Sequence, residues 1–133
     1  MNKKILEQIK NTAKAQPQVE AEERNEVIKY LTERYGDKFK QWEKEYAPRK
    51  LNYIEVEDKN ALLRPIDPET LSNYSMMLVL PEAGGLTAAT RYILEELWLD
   101  GDEDIRDNDD YFMSAMVQVQ HVMEQKKSRF IRL

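Results

Sequence analysis

The chain has no cysteine, one histidine and only four glycines among its 133 residues. Without cysteine there is no disulfide, no thiolate metal site and no thiol nucleophile, a composition compatible with a reducing compartment. The lone His121 shares a polar helix face with Ser114, Gln118 and Gln125. A general base needs an orienting partner and a nucleophile within reach, and no Ser-x-Gly elbow or second histidine supplies them. Long apolar runs are also missing. The longest extends only from Met76 to Leu80, against the roughly 20 residues of a membrane span. Ile5-Leu6 is followed at once by Glu7, too little for the apolar stretch of a secretory leader. The expected location is the cytoplasm.

Positive charge is scarce relative to negative: the net charge is −5. Nucleic-acid binding rests on clustered Lys and Arg, but Lys38, Lys40 and Lys44 stand beside Asp37, Glu43 and Glu45. The one basic cluster without nearby acids is Lys126, Lys127, Arg129 and Arg132. No specific nucleic acid and no membrane is expected as a partner.

What is present is helical periodicity. Residues 3–14 place Ile5, Leu6 and Ile9 on one side before Gln16-Pro17-Gln18 breaks the pattern. Residues 1–18 therefore read as a detached N-terminal helix and linker. A second helix is expected over residues 19–35, with Glu20, Glu22 and Glu23 suiting its dipole. Its apolar line is Val27, Ile28, Leu31 and Tyr35, and Gly36 ends it. A third, residues 37–46, aligns Phe39, Trp42 and Tyr46.

Strand patterning occurs once, in the middle. Leu51-Asn52-Tyr53-Ile54-Glu55-Val56 alternates, Glu57-Asp58-Lys59-Asn60 is turn chemistry, and Ala61-Leu62-Leu63-Arg64 can return. Such a two-stranded ribbon is unstable alone and must lie on helices. Asp67 and Pro68 then cap a helix whose expected inward line is Leu71, Tyr74 and Leu78, stopped by Pro81. Gly84-Gly85 leads to a helix over residues 86–99 with Ala89, Ile93 and Leu97 inward and Arg91, Glu95 and Glu96 outward. Asp107 or Asn108 caps a last helix striped by Phe112, Ala115, Met116, Val119 and Met123. The length fits one domain over residues 1–133. The fold class is helix-dominated α+β, with five to six helices and one small two-stranded β-ribbon.

The acidic run after Leu99 is the nearest approach to a site. Asp100, Asp102 and Asp104 match the first three ligands of an EF-hand loop, but Ile105 replaces its glycine and Tyr111 its closing glutamate. A solvated turn with acids near a helix N-terminus is the simpler reading, which leaves these three as weak metal candidates. Gly84-Gly85 lacks the lysine and hydroxyl residue of a phosphate loop. Carboxylate pairs such as Glu95-Glu96 are expected by chance among 25 acids. No enzyme activity and no cofactor is expected. The features left over point to binding. Met76-Met77-Leu78-Val79-Leu80 is apolar on every side, and methionine adapts to varied partners. Phe130 and Ile131 give the C-terminus apolar residues that a solvated tail would lack. The expected contact residues are Met76, Met77, Trp98 and Phe130, and homo-oligomerisation stays open.

Taken in order, residues 51–127 resemble the tail assembly chaperones of long-tailed bacteriophages. The resemblance lies in Leu63-Arg64-Pro65 before a helix carrying Tyr74, then Ala88-Ala89 through Leu97-Trp98-Leu99-Asp100-Gly101-Asp102, then Asp109-Asp110-Tyr111 opening a last helix. It is an order of elements, not a set of chemical groups. It implies a small non-enzymatic helical protein, with a core over residues 49–127, that binds the helical tape-measure protein during tail assembly. The charged residues 1–50 depart from the simplest members and leave open a structural role in a head–tail junction or capsid. A metal-regulated binding module using the three aspartates is the remaining alternative.

Overall fold

The computed structural model describes residues 20–124 and 128–133. The expected helix over residues 3–14 and its break at Gln16-Pro17-Gln18 lie outside the described residues. The chain divides into two compact units, Met1–Trp42 and Glu43–Leu133, although no proline, glycine or serine cluster marks that point in the sequence.

In the first unit, helix α1 covers residues 20–35 and helix α2 begins at Asp37, running to Tyr46. Gly36 separates them in a left-handed conformation (φ +57°), its N–H donating to the Thr32 carbonyl at 2.9 Å. That is the αL ending that glycine makes without steric cost. Leu31 and Phe39 are buried, whereas Ile28, expected on the apolar line, is exposed. Tyr35 and Trp42 meet edge to face with ring centres 5.6 Å apart, a geometry that adds about 0.5–1.5 kcal/mol beyond area burial.

The second unit holds an antiparallel sheet ordered β1-β2-β3: β1 is Asn52–Val56, β2 is Lys59–Leu63 and β3 is Trp98–Gly101. The hairpin turns on Glu57-Asp58, with Val56 paired to Lys59 and Glu57 at φ +54°. Ile54 and Val56 of β1 and Ala61 and Leu63 of β2 share the face that meets the core. Leu62 points the other way and is also buried.

The sheet has three strands where the sequence suggested two. Trp98 and Leu99 read as the end of a helix and Asp100-Gly101 as the start of the acidic turn, but helix α4 (Gly85–Leu97) stops at Leu97 and the chain passes straight into β3. Leu63 pairs with Trp98 and Leu62 with Asp100, so the register slips by one residue and leaves Leu99 as the bulge. The Arg64 N–H continues the contact to the Leu97 carbonyl at 2.8 Å. Gly101 makes the pairing possible. A Cβ there would lie 2.6 Å from the Ala61 Cα and 2.7 Å from the Asn60 carbonyl oxygen.

Helix α3 (Pro68–Val79) opens as the sequence predicts. Asp67 accepts from the Thr70 N–H at 2.9 Å and from its hydroxyl at 2.8 Å. These bonds, with the Arg64 guanidinium at 2.8 Å, hold the Asp67 carboxyl far below the usual carboxylate range. A carboxylate so stabilised supports the fold at every pH above the ordinary carboxylate pKa and loses that effect only in strong acid. The inward line differs from expectation. Thr70 and Tyr74 are buried and Met77 packs on the core, while Leu71 and Leu78 stay 37% and 41% exposed. The Asp67-Pro68 cap sets the helical phase, and that phase turns Leu71 and Leu78 to the flank.

A 3₁₀ turn, Pro81–Ala83, leads from α3 to α4. Gly84 stands at the N-cap of α4 and offers no side chain to it, a lack worth only a few tenths of a kcal/mol. Burial outweighs it easily: Ile93, Leu94 and Leu97 are each fully buried, at about 1.5–3 kcal/mol apiece. Ala89, Ile93 and Leu97 lie inward as predicted. Helix α5 (Asp104–Asp107) contributes Ile105, and helix α6 (Asp109–Val122) contributes Phe112, Ala115, Val119 and Val122. Asn108, not Asp107, caps α6 through its side-chain oxygen. The outcome is the helix-dominated α+β class, with helices on the inner face of a small sheet.

Gly101→Ala is expected to cost about 1–3 kcal/mol, because the methyl overlaps backbone that cannot retreat without breaking the β2–β3 pairing. Urea denaturation of the two proteins measures the difference.

Candidate functional site

The acidic turn is a clasp at the end of the sheet. Asp102 accepts from the Asn60 N–H through Oδ2 at 2.8 Å and returns its own N–H to the Asn60 carbonyl at 2.8 Å. Asp100 accepts from the Gly101 N–H at 2.8 Å. Asp104 faces the Lys59 ammonium at 3.7 Å. The three metal candidates are thus spent on different partners. Among the described residues no group of three His, Cys, Asp or Glu side chains is placed to hold a metal ion. Tyr111, which occupies the closing position of the EF-hand pattern, donates its hydroxyl to Asp58 at 3.0 Å.

The Arg64-Pro65 step is a second structural joint. Arg64 lies 2.8 Å from Asp67 and 3.3 Å from Glu96, tying the end of β2 to both α3 and α4. His121 is exposed and stands 3.7 Å from Glu124, one helical turn away.

The four expected contact residues fall into two groups. Trp98 and Met77 pack against the core. The Arg106 guanidinium lies 4.1 Å over the Trp98 ring, and Arg91 lies 4.4 Å over Phe112 while donating to the Arg106 carbonyl at 3.2 Å. The Trp98 face is therefore roofed by its own chain. Met76 and Phe130 are 53% and 82% exposed. Phe130 belongs to residues 128–133, beyond α6, where Arg132 lies 5.9 Å over its ring.

Around Met76 the structure exposes more than the sequence reading named. Leu71, Leu78, Val79 and Leu80 are all exposed on α3 and its end, and Leu86 is exposed in the first turn of α4. Residues 70–90 carry a single charge, Glu82, in a chain that is 34% charged. Interface cores lose charged residues and gain methionine and large apolar groups. The α3–α4 hairpin is the candidate binding surface. Its charge depletion was readable in the sequence, whereas the exposure of Leu71 and Leu86 depends on the helical phase.

Among the described residues no helix is long and apolar enough to cross a membrane. No protein-family model, curated protein or solved structure matches the chain.

Asp102→Ala is expected to lose about 1–3 kcal/mol, the cost of leaving the buried Asn60 N–H unpaired. Millimolar calcium should leave the melting temperature of both proteins unchanged; a calcium shift confined to the parent chain would restore the metal reading. Trp98→Ala should cost about 3 kcal/mol as a core truncation. Met76→Ala should stay within about 0.5 kcal/mol, as surface changes do.

Proposed function

We propose that the chain is a non-enzymatic assembly factor of a bacteriophage or prophage: a tail assembly chaperone that works in the host cytoplasm. It would shield apolar helical surface on the tape-measure protein until that protein is packed away. The observation carrying this reading is the α3–α4 hairpin, where six large apolar side chains stand in solvent along a stretch with one charge. Such a surface is disfavoured in a protein that works alone. It suits a partner that presents the apolar stripe of a helix, the helix-in-groove mode of recognition.

The residues that carry the chaperone resemblance are also those that join the elements. Arg64 ties a strand to two helices, Tyr74 and Ala89 are buried, and Gly101 and Asp102 close the sheet. On this reading they are the framework of the chain, and recognition is left to the hairpin surface. The charged N-terminal residues keep a second reading in view, a head–tail or capsid-associated subunit. The metal-regulated alternative gains no support from Asp100, Asp102 and Asp104, each engaged elsewhere.

The test is co-expression of the tagged chain with its neighbouring genes, capture, and mass spectrometry. Recovery of one very long helical protein, lost on Val79→Lys, is the expected outcome. Capsid or connector proteins in the eluate, or the chain itself in purified virions, would replace the chaperone reading with the structural one. An empty eluate would overturn both.

A further inference from the structure

We infer that Arg91 and Arg106 form a receptor for carboxylate groups, the side chains of an acidic stretch in a partner polypeptide. Both guanidiniums are held by their faces. Arg106, on α5, lies 4.1 Å from the centre of the Trp98 ring, and Arg91, on α4, lies 4.4 Å from that of Phe112. Stacking occupies the face of a guanidinium and leaves its N–H donors, which lie in the plane, for other partners. One of those donors ties the two arginines together, from Arg91 Nη1 to the Arg106 carbonyl at 3.2 Å.

What marks the pair is the partners it leaves aside. Glu95 stands four residues after Arg91 and Glu103 three before Arg106, spacings at which helical side chains pair. Yet among the described residues neither arginine has a carboxylate within 4.0 Å. Arg64 is the contrast, spent on Asp67 and Glu96 together. Arg106 Nε is out of solvent with no acceptor among the described residues, so this guanidinium is already partly stripped of water. An anion reaching its terminal amino groups displaces less hydration for that reason. The ring beneath has also fixed the side chain beforehand, which lowers the entropy cost of binding.

The ligand class follows from charge. A guanidinium matches carboxylate and phosphate alike, two N–H groups to two oxygens. The sequence neighbours of the two arginines, however, include Glu95, Glu103, Asp107, Asp109 and Asp110, in a chain of net charge −5. A nucleic-acid backbone or a multiply charged phosphate meets those acids as like charges. A carboxylate carries one charge, engages one fork, and lets the rest of its chain turn away. Two forks tied together favour two carboxylates on one polypeptide over a single free acid. The assignment is independent of the tail-assembly reading.

The probe is a hexaglutamate peptide, added at low salt to the isotope-labelled chain while the arginine Nε–H and Trp98 indole N–H signals are followed by NMR. Saturable shifts centred on Arg91, Arg106 and Trp98 are expected, with half-saturation on the order of 1 mM, as suits a few ionic contacts. Arg106→Lys keeps the charge and loses the fork, so it should weaken binding about fivefold or more. Arg91→Gln, at an exposed position, should weaken it as well with little change in melting temperature. Inorganic phosphate is the competing probe and should bind more weakly than the peptide. Shifts spread evenly over all the arginines, full binding by Arg106→Lys, or tighter binding of phosphate would each overturn the inference. So would the absence of any shift in the unaltered chain, a readout that needs no variant to fold.

Discussion

The contact on which the second unit depends is the approach of Gly101 to Ala61 in the middle of the sheet. With no side chain at Gly101, the backbone of β3 can lie against β2, and Asp102 can then reach Asn60 for its paired bonds. Everything on either side follows. Pairing at Leu63–Trp98 fixes where α4 must end. The clasp at Asp102 fixes where α5 must begin, which drops Ile105 into the core and directs the chain toward the Asn108 cap of α6. A bulkier residue at position 101 would strain the joint that orders three helices at once.

Charged side chains do related work at the margins, where they serve geometry more than net attraction. Exposed ion pairs contribute little, with a median of about 0–1 kcal/mol. Arg64 matters because it meets Asp67 and Glu96 together and so couples the start of α3 to the end of α4. Arg91 and Arg106 act through their flat guanidinium faces, which lie over the buried Phe112 and the half-buried Trp98. Arg106 covers part of the Trp98 ring, whereas the apolar side chains of the hairpin stand exposed.

Much of this organisation was legible in the sequence because helices advertise themselves through period and caps. The boundaries of α2 and the Asp67-Pro68 start of α3 were readable, as were the inward residues Ala89, Ile93 and Leu97 and most of the α6 stripe. β3 was not, for a physical reason: its four residues are all half-buried and follow a helix without a break, so neither alternation nor punctuation sets them apart. Leu71 and Leu78 were misassigned because two phases of α3 place apolar residues in line, and the phase the helix takes from its cap is the one that buries Thr70 and Tyr74. The acidic run looked like a ligand set because its spacing was right, yet its oxygens are directed to the backbone at Asn60 and Gly101 and to Lys59. Spacing along a chain does not specify convergence in space.

The bulge at Leu99 and the abrupt passage from α4 into β3 bear on how the sheet closes. Joining β2 to β3 requires the ends of a long intervening segment to meet, and a flexible segment would oppose that with loop-closure entropy. Here the segment is mostly a helical hairpin, whose contacts between α3 and α4 are local and can form early. Once folded, it delivers Trp98 beside Leu63 as a hinged arm delivers its tip. The third strand thus pairs across a segment ordered by its own contacts, so the helical hairpin that carries the exposed apolar side chains also lowers the entropy cost of completing the sheet.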